Sequence, residues 1–431
     1  MNSKSIIRRL GTIALAASVF TACDLDVTNP NALTEEQVIT TVDGTIALAV
    51  GMQGQFAQCF EDYVVPPALV TDEWGTRTRS LLSYQSLFTG QNFENTYDIV
   101  SAPYACTYQI AKSANTLIAA ATTVGLGPAL QAGITSLAKL FRGMALGMAA
   151  MTYQQLPADI AREGAPPLPR AEVFDTVLAL LESARSDIAN VSDADLAAFR
   201  TRALGTGIDL RATIDAMIAR YALFDGQYQR ANDAALRVSP TVFSRIEYPA
   251  PTTNPIYNLA MVLQYVGGTR NFVASAEAGD RRPDYWLQTN VAPVSGNPQD
   301  SVSYTQRRYS TPNENIPLYL PDEMKLIRAE AQARLGNLAA AITLINEVRT
   351  QTTGSANEPA AGLPALTAAQ LPDLTSVLRQ IGYERRYELF LQGLRWEDTR
   401  RLPVTSSVTF AFLPLPAVEC RTNSNVGSAC N

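Results

Sequence analysis

Two segments of the chain repeat one pattern 110 positions apart, and a chain built on that pattern has to stack helices. In "YALFDGQYQRANDAALRV" and "AQARLGNLAAAITLINEV", Gly226 falls on Gly336, Tyr228 on Leu338, Ala231 on Ala341, Ala235 on Ile345 and Val238 on Val348. Glycine allows a tight turn between two helices, and alanine lets their backbones approach closely. A single hairpin of this kind cannot bury its own apolar face, so several must pack in series. The alternative is an unrelated pair of helical hairpins, which also leaves the chain mainly α.

The remaining sequence agrees with a helical body. "TEEQVITTVDGTIALAVGMQGQFAQCF" opens on a Thr-x-Glu start signal and continues apolar at helical spacing. Helices are also predicted over 101–120 and 134–156, the second rich in Ala, Gly and Met for close packing. In "PPLPRAEVFDTVLALLESARSDIA", Val173, Val177, Leu180, Leu181 and Ala184 share one face. The hairpins have the small-residue and turn pattern of tetratricopeptide repeats. Two stretches break the helical period, 66–100 and 239–320, both bearing Pro, polar residues and aromatics. Irregular connections of this length are uncommon unless they serve a function. The expected fold class is thus mainly α: tetratricopeptide-type hairpins packed against an irregular, loop-rich binding region, in one domain over 37–431.

Composition removes several function classes. The 431 residues include no histidine, which takes away the commonest general base and metal ligand. Zinc hydrolysis and Ser-His or Cys-His catalysis are excluded, and no metal or cofactor is expected. A formal net charge of −6 makes nucleic acid an improbable partner. Five cysteines are present, of which Cys23 is treated below. Cys420 and Cys430 bracket a short polar loop at the terminus, and pairing them leaves Cys59 with Cys106, one of three connectivities that four cysteines permit.

Residues 1–22 fit a bacterial secretion signal: Lys4, Arg8 and Arg9 at the start, an apolar core over Leu10–Phe20, then Thr21-Ala22. The core is shorter than the roughly 20 apolar residues of a membrane span. "FTAC" resembles the lipobox of bacterial lipoproteins, which implies cleavage before Cys23, lipidation of that residue and a polar spacer over 23–36. Several acyl chains together anchor stably where one would not. Plain secretion with a free Cys23 is the other reading.

"IGYERRYELFLQGLRWEDTRRL" resembles the C-terminal signature of the SusD/RagB family of outer-membrane nutrient-binding lipoproteins. Glu384, Arg385, Arg386, Glu388, Leu389, Gly393, Arg395, Trp396, Asp398 and Arg401 stand at its positions. "LIRAEAQARLGNLAAAITLINEVR", "FRGMALGMAAMTYQQLPADI", "PPLPR", "GDRRPDYW" and "FLPLP" also follow in the family's order. Gln392 and Pro321 depart from its usual pattern, as does the C-terminal cysteine loop. The resemblance implies a non-enzymatic, surface-exposed lipoprotein of the bacterial outer membrane. Such proteins capture an oligosaccharide or peptide nutrient and pass it to a SusC-like TonB-dependent transporter. It draws the ligand site from the two excursions, where Trp74, Arg77, Arg79, Tyr84, Tyr285 and Trp286 are the candidates. A pyranose has apolar C–H faces and a ring of hydroxyls, so an exposed aromatic platform with a few fixed polar groups suits it. Asp280 and Arg281 match a recurring turn and are read as structural.

Glu384 and Glu388 are four residues apart on a predicted helix. A glycosidase needs its carboxylates on either side of a sugar bond, and adjacent turns of one helix leave no such gap. The signature is therefore read as structural: Tyr383, Tyr387, Phe390, Leu391 and Leu394 on an apolar face, Arg and Glu pairing along its flanks, and Gly393 ending the helix. A tetratricopeptide scaffold for outer-membrane assembly and an exported glycoside hydrolase remain as alternatives.

Overall fold

The computed structural model describes residues 39–430 apart from 163, 206, 298–301, 356–357 and 406–407. The signal, Cys23 and most of the spacer lie outside the described residues. The N-terminal half runs α1 (Val42–Val70), β1 (Trp74–Thr76), α2 (Leu82–Thr89), α3 (Asp98–Thr123), α4 (Pro128–Thr152), β2 (Gln155–Leu156), β3 (Leu168–Pro169), α5 (Arg170–Asp187) and α6 (Asp193–Phe199). A π-helical turn over Arg200–Leu204 leads into α7 (Leu210–Phe224) and α8 (Tyr228–Arg237). The irregular region follows: β4 (Arg245–Ile246), α9 (Pro255–Tyr257), a π-turn over Asn258–Val262, β5 (Val266–Thr269), α10 (Arg270–Ala274), α11 (Arg282–Trp286), β6 (Val294–Ser295), β7 (Val302–Tyr304) and β8 (Ile316–Pro317). The chain closes with α12 (Pro321–Arg334), α13 (Leu338–Arg349), α14 (Leu374–Glu388), α15 (Arg395–Arg401) and α16 (Ala417–Thr422).

The long helices form the expected stack. In order, α3 packs on α4, α4 on α5, α5 on α7, α7 on α8, α8 on α12, α12 on α13, and α14 covers α12 and α13. The repeated hairpins are α7/α8 and α12/α13, and their corners are alike. Gly226 and Gly336 both have left-handed backbone, at φ +77° and +89°. The following N–H, of Gln227 or Asn337, donates 2.8 Å back to the carbonyl of Ala222 or Gln332. The pair stack directly on each other although the irregular region separates them in sequence. Gln332 donates to Asn232 at 3.0 Å, and Arg334 lies over the Tyr228 ring. At Gly147 a Cβ would come within 2.3 Å of the Tyr221 ring, which explains the glycine in the close α4–α7 approach.

Local chemistry fixes the ends. The Thr41 hydroxyl accepts from the Gly44 N–H at the start of α1, and Asp373 and Ser376 form a reciprocal capping box on α14. The helices predicted over 101–120 and 134–156 are α3 and α4. On α5 the buried face holds Phe174 and Leu178 beside Val173, Val177, Leu181 and Ala184, while Leu180 is half-buried.

Two boundaries differ from the reading of the sequence. The Pro66-Pro67 pair marks no excursion: α1 continues to Val70, and residues 63–70 are all buried, so packing outweighs the local cost of two prolines. The signature helix ends at Glu388 rather than at Gly393. Leu391 takes a left-handed conformation (φ +56°), and Gly393 (φ +74°) belongs to the turn into α15. Both expected disulfides are present, Cys59–Cys106 joining α1 to α3 and Cys420–Cys430 closing the C-terminal loop. Among the described residues no helix is long and apolar enough to cross a membrane.

Candidate functional site

The two excursions, separate in sequence, meet in one four-stranded antiparallel sheet of order β1-β5-β7-β6. Trp74 pairs with Gly268, Gly268 with Tyr304, and Val294 with Ser303. The pairing extends one residue past β1, where Arg77 bridges to Gly296 and its N–H donates 2.9 Å to the Tyr265 carbonyl. This fixes the direction of the Arg77 side chain. Its Nε donates to Ser303 Oγ at 2.9 Å and its Nη2 to Thr305 Oγ1 at 3.2 Å. Beside it opens a cavity of about 260 Å³, lined by Arg77, Thr78, Arg79, Ala260, Met261, Gln264, Val294, Ser295 and Thr305. Ala260 and Met261 come from the second π-turn, and Gln264 has φ +57°, so one wall is built from unusual backbone.

A second recess of about 90 Å³ lies at Tyr285, Trp286, Arg307, Arg308, Tyr309, Glu314 and Asn315. Tyr285 is half-buried, edge-on to Trp286, and its hydroxyl donates to the Ser355 carbonyl at 2.6 Å. Arg308 lies 4.3 Å over the Trp286 ring.

The six residues expected at the ligand therefore divide. Arg77 and Arg79 share the larger cavity, and Tyr285 and Trp286 share the smaller. Tyr84 is half-buried against Tyr265, ring edge to ring face, with burial pushing its hydroxyl pKa up. The expected exposed aromatic platform needs correcting at the two indoles. Trp74 is fully buried in the sheet, and Trp286 is 2 % exposed with its Nε1 donating 2.7 Å to the Tyr387 carbonyl. Both are anchors: Trp74 is part of β1 within the sheet, and Trp286 packs on the Phe390 ring of the signature. Arg307, Glu314, Gln264 and Met261 escaped the reading of the sequence. No spacing pattern distinguishes them from ordinary loop residues.

The signature also differs from expectation in where its charges go. Glu384, Arg385 and Glu388 are buried to within 1 % of completely, not set on solvated flanks, and their partners come from other segments. Arg282 is enclosed by Asp280 at 2.8 Å, Glu384 at 2.7 Å and Glu388 at 3.5 Å. Arg349 reaches Glu384 at 3.0 Å and also Glu277; Arg385 reaches Asp398 at 2.8 Å; Arg401 joins Asp398 and Glu330. Burial and neighbouring carboxylates push the Glu388 pKa well up, while the carboxylates around Arg282 hold its pKa up. Glu384 and Glu388 are thus both turned onto one guanidinium in the core, closed to any substrate. The structural role of Asp280 stands: it also accepts from the Tyr383 hydroxyl at 2.8 Å.

Glu61 and Asp62, half-buried on α1, have pKa values raised to about 7 and about 6 by burial. They are consecutive on a helix, so their side chains diverge by roughly 100° and do not flank a common bond. Asp62 lies beside Cys59 and Cys106, whose joined sulfurs offer a metal no thiolate.

Comparison with known proteins bears on the whole arrangement. Residues 269–418, from the last residue of β5 through the signature, match the family model described as the SusD family. No curated protein sequence matches the chain. Among solved structures, a SusD-like carbohydrate binding protein from Bacteroides vulgatus superposes with a TM-score of 0.71 at 14% identity, covering 90% of this chain and 98% of that one. A SusD superfamily protein from Bacteroides thetaiotaomicron gives 0.70 at 16% identity, over 90% and 99% of the two chains. The surface glycan-binding protein A from Bacteroides uniformis gives 0.59 at 15% identity, over 83% and 90%. Residues 269–418 thus match the SusD family, and the chain as a whole has the fold of the SusD-like structures it superposes on.

Proposed function

We propose that this protein is a lipid-anchored capture protein of the bacterial outer-membrane surface. It binds an oligosaccharide, or less favourably a peptide, without cleaving it and passes it to a SusC-like TonB-dependent transporter. The observation that carries the reading is the meeting of both excursions in one sheet beside a cavity. A rigid helical stack that holds two distant loops in fixed register is suited to presenting a preformed binding surface. The carbohydrate- and glycan-binding descriptions of two structural relatives support a saccharide as the ligand class. Cys23 is the proposed attachment point, and the single domain over 37–431 the proposed binding unit. Buried carboxylates in the signature, each held by arginine, favour binding over hydrolysis. Native gel electrophoresis in embedded polysaccharides tests the binding, with retardation in at least one glycan expected and none in any glycan overturning it. Recovery of a TonB-dependent transporter with the tagged, membrane-extracted protein tests the partnership. Loss of detergent-phase partitioning in a Cys23→Ala variant tests the anchor.

A further inference from the structure

Arg77 differs from Arg282, Arg349, Arg385 and Arg401, which are ion-paired, and from the buried Arg308 and Arg395, which bond backbone carbonyls, in bordering the larger cavity. It is 6 % exposed, yet the described hydrogen bonds of its guanidinium go only to the neutral hydroxyls of Ser303 and Thr305. Desolvation alone lowers its pKa, with no carboxylate acting against it. Placing a guanidinium out of water without an anion is costly, and buried charges are ordinarily paired. The cavity that it borders adds a second arginine, Arg79, which is exposed, and no acidic residue among its described lining. Around this cationic end stand Thr78, Ser295, Thr305 and Gln264 as hydrogen-bonding groups, with Ala260, Met261 and Val294 as an apolar wall. A guanidinium has five donors in a planar fork, so the two hydroxyls fix its orientation and leave capacity for a ligand.

We propose that this cavity receives a uronic acid unit of a glycan, its carboxylate seated between Arg77 and Arg79 and its ring against Met261 and Val294. The inference rests on the capture reading above and narrows its ligand. The planar carboxylate matches the arginine fork, whereas the mixed hydroxyl, amide and apolar lining matches a sugar ring better than a bare anion. At about 260 Å³ the space lies just under the ~300–1,000 Å³ usual for ligand clefts, and so suits one unit of a longer chain. Because the protein as a whole is negative, at −6, a polyanion gains nothing from its average surface. Attraction has to come from this local pair of cations.

Affinity electrophoresis of the full chain tests the proposal, using gels containing polygalacturonate, alginate, hyaluronan or glucuronoxylan. Matched gels contain fully methyl-esterified pectin, starch, or a sulfated, uronate-free carrageenan. Retardation by at least one uronate polymer is expected, and for polygalacturonate its loss on esterification. Arg79→Gln, at an exposed position that folding tolerates, should weaken that retardation about ten- to a hundredfold, as removal of a charge-assisted hydrogen bond does. Arg77→Gln should do the same while melting within a few degrees of the parent, a check that separates lost binding from lost fold. Equal retardation by esterified pectin, retardation by carrageenan alone, no retardation by any uronate polymer, or an unchanged Arg79→Gln variant each overturns the inference. Starch or esterified pectin binding without uronate preference would leave the capture reading standing and remove only the uronate, whereas silence in every gel removes both.

Discussion

The ion-paired arginines beneath the C-terminal signature and the single buried arginine of the sheet, Arg77, are treated differently. Arg282 touches three carboxylates, Arg401 two, and Arg220 at the base of α7 grips Glu323 through Nε and Nη2, both at 2.6 Å. Arg77 has two hydroxyls. A charge with its counter-ion built in is finished, and what it does is hold helices α12 to α15 and the α11 loop in one arrangement. A guanidinium bonded to two hydroxyls keeps donor capacity to spare, which is the basis of the binding proposed above.

The largest effect expected from that contrast is at Arg282. Arg282→Met leaves Asp280, Glu384 and Glu388 buried around an apolar side chain, and should lower unfolding stability by about 3–5 kcal/mol in urea titration. A loss below about 1 kcal/mol would mean that the network is not holding the segments together. Glu73 comes next. It is fully buried near Arg395, Arg386 and Arg308, with its pKa raised from 4.5 to about 7 chiefly by burial. For a carboxyl raised on folding, the native state binds the proton more tightly, so its contribution is complete below about pH 4.5 and is lost as pH climbs through 7. Glu73→Gln should remove up to roughly 3 kcal/mol of decline between those limits. Stability curves of variant and parent that remain parallel from pH 5 to pH 8 would refute this.

Arg77→Met sharpens the comparison from the other side. It removes a charge that has no anion and two neutral hydrogen bonds, so its cost should be only about 1 kcal/mol, several-fold less than at Arg282. A loss as large as that of Arg282→Met would show that Arg77, too, is a structural post. Smallest is Arg79→Gln, an exposed change expected to move stability by no more than about 0.5 kcal/mol in the same titration. Its signature belongs in binding.

Much of the scaffold is legible in the sequence, because hairpin corners and helix faces are local. Gly226 and Gly336 announce the repeat, and the paired helices follow from alanine spacing within one turn. The short Cys420–Cys430 loop favours one pairing and leaves Cys59 with Cys106, the connectivity that the structure has. The sheet is not legible: its strands are two to four residues long, carry glycines at 75, 267 and 268, and join positions nearly 200 apart. Nothing periodic survives at that length. The same limit explains the indoles. Trp74 and Trp286 sit in aperiodic segments where a platform and an anchor have one sequence appearance, and only the neighbouring chain decides between them. The signature glutamates show the reverse error. Helical spacing puts charges on a flank facing water, but Arg282 and Arg349 come from elsewhere in the chain and turn that flank into core.

The irregular region leaves the stack after α8 and returns before α12, and β4 lies antiparallel to β8 at that neck, with Arg245 opposite Pro317 and Ile246 opposite Ile316. Exit and re-entry are thus clasped side by side, and the hairpins above and below touch as though nothing intervened. An insertion moored in this way is a cassette. Its loops can lengthen, shorten or change their chemistry without moving the helices beneath, because both ends of the insertion are pinned at one point.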